Sequence, residues 1–302
     1  MSVLVNVVLP VFLVVGVAAL AQNRLRLDAQ TLSRAVFYLF GPALVFDSLV
    51  ASDVSGQQFG QISAVLILST LVLWILGALA ARLLRLQGPT QAAFLAAILL
   101  MNAGNYGLSV TFFAFGQEGL SRAALYFTVS ALFSASLGVY LTARGRAPAR
   151  LALARVARVP LAYAAILGLV FNLGNLTMPE PLLKAIHLLG QASIPTMLMV
   201  LGIKLAETFR SRQHALPLPA LATVAAMRLL VAPAIAWAAA WLLGLEALAR
   251  DVVVLESAMP TAVITTILAT EFESDPAFAS LCVLLTTLAS LPTVTILLNW
   301  LK

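Results

Sequence analysis

The sequence predicts an all-α polytopic membrane protein: ten transmembrane helices in two inverted five-helix repeats, with broken fourth and ninth helices crossing near the bilayer midplane. Three observations predict it. The composition, 62% hydrophobic and only 10% charged, lies far outside the soluble range. The apolar residues fall into ten runs of about 20 residues, the length that crosses hydrocarbon. Two of those runs carry polar and helix-breaking residues at a depth where lipid offers the backbone no hydrogen-bond partner.

Taken in order, the runs cover roughly 2–22, 33–51, 60–83, 90–115, 119–142, 158–175, 181–208, 216–244, 249–271 and 276–301. The first has no basic segment before it and no small-residue cleavage signal, so it reads as a span and not as a signal peptide. The second carries Pro42 and Asp47, the third is uninterrupted, and the fourth holds the polar stretch Leu99 to Val110. After the fifth comes the longest connection, from Thr142 to about Arg158 and rich in Arg and Pro. It divides the chain into a first repeat at 1–143, a cytoplasmic linker at 144–157 and a second repeat at 158–302. The seventh run carries Pro195, the eighth Arg228, and the ninth the stretch Glu256-Ser-Ala-Met-Pro260-Thr261-Ala262.

Positive charge sets the orientation. With the N-terminus outside, the inner connections hold Arg24, Arg26, Arg34, Arg82, Arg85, Arg144, Arg146, Arg150, Arg155, Arg158, Lys204, Arg210 and Arg212, 13 of the 18 Lys and Arg. The outer side keeps Arg122, Lys184, Arg250 and Lys302. This asymmetry predicts a multi-pass protein of the cell (inner) membrane with both termini on the extracytoplasmic side. Because the net charge of +6 is spread over short connections and not clustered with aromatics, it is a topology signal and argues against nucleic acid as a partner.

Five spans per half is an odd number, so a structural repeat must be inverted. Pro42 and Pro195 lie 153 residues apart, and Asn105 and Pro260 lie 155 apart. An inverted repeat brings the two breaks together near the midplane, where secondary transporters hold their substrates.

At each break a second half-helix starts with free N–H groups and the positive end of a helix dipole, near Tyr106 to Leu108 and Thr261 to Val263. Such ends attract anions, carboxylates among them. Asn102, Asn105, Tyr106 and Thr261 could orient the ligand, with Met101, Met259 and Pro260 as apolar walls; Gly104, Gly107 and Pro260 are the helix-breaking positions. The alternative reading is close helix packing, with Asn bonding across spans and Gly admitting a neighbour.

Three ionisable residues fall within spans, where charge is costly and points to function. Glu256 stands one helical turn before Pro260 and could accept a proton or ligate a cation; it could equally be a protonated carboxyl bonding a neighbouring span. Asp47 sits near the outer end of its span, where hydration stands against a coupling or charge-balancing role. Arg228 fits a fixed counter-charge for a helix C-terminal end or a carboxylate. Cys282 is the only cysteine and reads as an apolar packing residue. His187 and His214 are too isolated to form a metal site, and no cofactor is expected beyond proton or sodium coupling. No nucleophile, metal cluster or general-base pair suggests an enzyme.

Several segments together resemble the auxin efflux carrier family over nearly the whole chain. They are Asn102-Ala-Gly-Asn105-Tyr106-Gly107-Leu108 with Phe115-Gly116, Pro160-Leu-Ala-Tyr163, Gly190-Gln-Ala-Ser-Ile-Pro195 through Leu201-Gly202, Arg228-Leu-Leu-Val-Ala-Pro233, and Ser257-Ala-Met-Pro260 followed by Glu271-Phe272. The resemblance implies a scaffold domain that holds a homodimer interface and a transport domain that carries organic anions by an elevator-like motion. It also implies kinship of fold with bile acid sodium symporters and sodium/proton antiporters. The chain departs from the plant carriers in three ways: only its ninth span has the crossing proline, Glu256 stands where they have a polar residue, and Leu71 to Leu79 lacks their charged pair. Bacterial members similar to this chain are labelled permeases for malonate, malate or related carboxylates. The expectation is therefore a secondary transporter of a small mono- or dicarboxylate. A sodium-coupled symporter and a non-transporting receptor or scaffold stand as alternatives.

Overall fold

The computed structural model describes residues 3–143, 149–210 and 217–301. Arg144, Arg146, Arg212, His214 and Lys302 lie outside the described residues. In chain order the helices are α1 Leu4–Leu25, α2 Ala29–Val50, α3 Gly56–Leu83, α4 Gly88–Leu99, α5 Ala103–Thr142, α6 Ala149–Val156, α7 Pro160–Leu173, α8 Glu180–Arg210, α9 Leu218–Leu242, α10 Ala247–Ser257, α11 Ile264–Glu271 and α12 Pro276–Leu301. Among the described residues the fold is all-helical, and seven helices are long and apolar enough to cross a membrane: α1, α2, α3, α5, α8, α9 and α12. The 40-residue α5 is interrupted at Gly116, where φ is 63° and ψ is −155°. A one-residue turn at Ala192 divides α8. The basic connection after α5, read from sequence as a linker, contains the short helix α6.

Local chemistry explains several boundaries. Asp28 caps α2 by accepting from the backbone N–H groups of Gln30 and Thr31 at 3.0 and 3.2 Å. The Thr31 hydroxyl, which also donates to this carboxylate, is the main cause holding it below the usual range. Ser55 and Gln58 form a reciprocal capping box at the start of α3.

Proline explains three local widenings. The residue just before Pro10, Pro42 and Pro233 donates its N–H five residues back: Leu9 to Leu4, Gly41 to Val36, and Ala232 to Met227. A proline ring clashes with the carbonyl four residues earlier and offers no donor to it. A single π turn ahead of the ring relieves that clash without breaking the span.

The outward faces are apolar. Leu20, Ile75, Leu83, Trp241 and Ile296 are each about 70% exposed, and soluble surfaces do not carry such bands. These faces meet lipid. Inside, α4, α5, α10, α11 and α12 surround the point where the chain breaks twice.

Candidate functional site

The two breaks meet. α4 ends at Leu99, Leu100 is extended, and Met101 and Asn102 lead into α5; α10 ends at Ser257, and Ala258 to Val263 run to the start of α11. Met101 and Thr261 form an isolated antiparallel bridge, in which Asn102 N–H donates to the Pro260 carbonyl and Ala262 N–H to the Leu100 carbonyl, both at 2.8 Å. Each break thus satisfies the other's backbone, which lipid cannot do. Gly104 and Gly107 lie in the wide turn Ala103–Leu108 that follows the first break. Their lack of a side chain serves close approach: a Cβ at Gly104 would sit 2.6 Å from the Phe127 ring, and one at Gly107 2.1 Å from a Glu256 oxygen.

The C-terminal ends of the first half-helices converge on Arg228, which is fully buried. Its guanidinium donates to the carbonyls of Ile98 at 2.8 Å, Ser257 at 2.5 Å and Met259 at 3.3 Å. One fixed cation therefore faces the negative ends of both α4 and α10. The π turn Met227–Val231 carries it inward.

The N-terminal ends of the second half-helices open on a cavity of about 500 Å³. Asn102, Gly104 and Asn105 line it from α5, and Ala262, Val263 and Ile264 from the start of α11. The first α5 bond of the wide turn is Gly107 N–H to the Asn102 carbonyl at 2.9 Å, so the amides of residues 103–106 have no acceptor within their own helix. Phe37, Tyr38, Phe127 and Ile267 supply apolar walls, Ser33, Ser130 and Ser134 supply hydroxyls, and Arg155 and Arg158 stand in the same wall. Among the described residues the lining contains no carboxylate. Arg155 also pairs with Glu271 at the end of α11 and stacks 5.2 Å above the Phe272 ring.

The residues named from sequence divide here. Met101, Asn102, Gly104 and Asn105 line the cavity. Tyr106, Met259 and Thr261 are buried away from it with 0% exposure. The Tyr106 hydroxyl is hydrogen-bonded with Ser290 at 3.1 Å, and its ring lies edge-on to Phe12 at 5.9 Å. The Thr261 hydroxyl donates to the Ala97 carbonyl at 2.9 Å, while its N–H donates to Thr286 at 3.0 Å. Glu256, also at 0% exposure, accepts from the Thr111 hydroxyl at 2.8 Å through one oxygen; the other has no partner. Asp47 lies apart from the crossing, 2.8 Å from His187.

Sequence reasoning passed over Arg155, Arg158, Phe127 and Thr111. The two arginines sit in the basic connection, whose charge is already accounted for by topology. Thr111 is one helical turn beyond Gly107, a signal that could have placed it on the same face.

Comparison with known proteins places the chain in a family. The profile of the membrane transport protein family matches residues 3–298. An uncharacterized transporter of Methanothermobacter thermautotrophicus is 33% identical over 273 residues, covering 87% of this chain and 86% of that one. An uncharacterized transporter of Methanocaldococcus jannaschii is 27% identical over 271 residues with the same coverage. Auxin efflux carrier component 1 of Arabidopsis thaliana is 28% identical over 142 residues, covering 46% of this chain and 22% of the plant protein. The chain is thus a transporter and not an enzyme, a multi-pass protein embedded in the bilayer, and it belongs to the membrane transport protein family that includes the auxin efflux carriers.

Proposed function

We propose that the protein is a secondary transporter of small organic anions, and that its substrate is a monocarboxylate with an apolar body. The observation that carries this is the cavity: two half-helix N-terminal ends, Arg158 and the Glu271-paired Arg155 border one space without a lining acid. Helix N-termini and guanidinium groups both favour carboxylates. The apolar lining from Phe37, Phe127 and Ile267 suits an aromatic or alkyl body better than a second carboxylate, and a volume near 500 Å³ falls within the range of small-molecule sites.

In this reading ten spans form two inverted five-helix repeats, with α4 and the first part of α5 as the fourth span and α10 and α11 as the ninth. The basic connections face the cytosol. The cavity, sharing a wall with Arg155 and Arg158, is open inward, and both termini lie outside. A homodimeric scaffold with an elevator-like moving domain completes the expectation.

Thermal unfolding of the purified protein against benzoate, indole-3-acetate, malonate and malate tests it. A ligand at 100 times its Kd stabilises by about 2.7 kcal/mol. The aromatic monocarboxylates should raise the melting temperature most, and Asn105→Ala should abolish the rise. A shift that persists in Asn105→Ala, or none with any carboxylate, overturns the reading.

A further inference from the structure

We propose that Glu256 is a proton-carrying site at the crossing, separate from the anion cavity, whose loading couples transport to the proton gradient. The inference takes transport as given, but it does not depend on which anion is carried.

Four observations point to it. The carboxyl is fully buried and does not line the cavity. One oxygen is engaged by the Thr111 hydroxyl, and the other faces Gly107 with no donor reaching it. No ion pair among the described residues includes Glu256, and the Arg228 guanidinium donates to three backbone carbonyls and not to this carboxyl. A buried carboxylate without an ion-pair partner is costly, which favours the neutral, protonated carboxyl. Among the described residues no group of three or more His, Cys, Asp or Glu is placed to hold a metal ion, and a proton needs only the one free oxygen.

The surroundings leave that role to Glu256. The elements packed against α10 include α3, α5, α9 and α12. Their titratable or charged groups are Arg82 on α3, Tyr106, Glu118, Arg122, Tyr126 and Tyr140 on α5, Arg228 on α9 and Cys282 on α12; α10 itself adds Arg250 and Asp251. Arg122 is held by Glu246 at 2.6 Å and Arg250 by Asp251 at 3.3 Å. The buried Tyr126 phenol lies within electrostatic reach of both Arg228 and Glu256. The proton binds the free oxygen directly, and its release regenerates the carboxylate.

Infrared difference spectra of the protein in nanodiscs, taken as pH is stepped without substrate, give the primary readout. A protonated-carboxyl band that responds to pH and disappears in Glu256→Gln supports the site. A band unchanged in Glu256→Gln overturns it, as does one abolished by sodium at constant pH. Thr111→Val, which removes the donor to the other oxygen, should move the titration while leaving the band assigned to Glu256. In proteoliposomes, one pH unit at one proton per anion supports about tenfold accumulation of radiolabelled benzoate; Glu256→Gln should carry benzoate without that gradient effect. If benzoate is not carried at all, the substrate reading fails while the infrared result still decides the proton site.

Discussion

The two broken spans solve one problem with different chemistry. In the break between α10 and α11, Pro260 removes a donor, and the residues around it are sealed: Ser257 to Thr261 sit where the two breaks meet, with Arg228 and Thr286 satisfying their backbone. The break between α4 and α5 has no proline. Leu100 and Met101 pair with the break between α10 and α11, and Asn102, Gly104 and Asn105 line the cavity. The proline-bearing break is thus the more enclosed member, while the glycine-bearing one presents the polar side chains. Which of two chain interruptions borders a cavity depends on what packs behind each.

The sharpest way to break this comparison is to remove what serves both spans. Arg228→Met should leave the Ile98, Ser257 and Met259 carbonyls without their donor in a fully buried place. Each stranded acceptor costs about 1–3 kcal/mol, so the variant should lose at least about 3 kcal/mol or fail to assemble. Unfolding in detergent checks this, and Arg228→Lys should recover only part of the loss, since a point-like ammonium cannot span three acceptors in the manner of a planar fork. A variant as stable as the parent would show that the two breaks do not lean on a common cation.

Gly107 tests the contact between the spans. A methyl group there meets the Glu256 carboxyl at 2.1 Å, and overpacking of this kind costs about 1–3 kcal/mol. Gly107→Ala should therefore destabilise, and pairing it with Glu256→Ala should return much of the loss. Additive effects in that double-mutant cycle would place the two residues out of contact.

How far the sequence carries follows from these particulars. The apolar runs, the breaks near Asn102 and Pro260 and the inward position of Arg228 are legible because bilayer thickness and backbone satisfaction leave few alternatives. The division of labour at the breaks is not. Asn105 and Tyr106 are neighbours in sequence, yet one lines the cavity and the other bonds Ser290 from α12; span length and break position do not specify the rotation of a half-helix about its own axis. Arg155 and Arg158 escape notice for a different reason. Their charge satisfies the orientation rule whether or not they border a cavity, so only the path of the chain after α5 brings them to it.

That difference in rotation yields the finest discrimination. Thr261→Ala removes a buried hydroxyl from the Ala97 carbonyl and should lower basal stability by about 1–3 kcal/mol, the cost of an unsatisfied buried acceptor. Asn105→Ala, at a partly exposed cavity position, should stay within about 0.5 kcal/mol of the parent without ligand, as surface substitutions usually do. With a stabilising carboxylate present the order reverses in kind: the Thr261 variant should keep the ligand-induced rise and the Asn105 variant should lose it. Equal basal losses for both would mean that the fourth span is as closed as the ninth, and that the polar face of its wide turn is packing and not a binding surface.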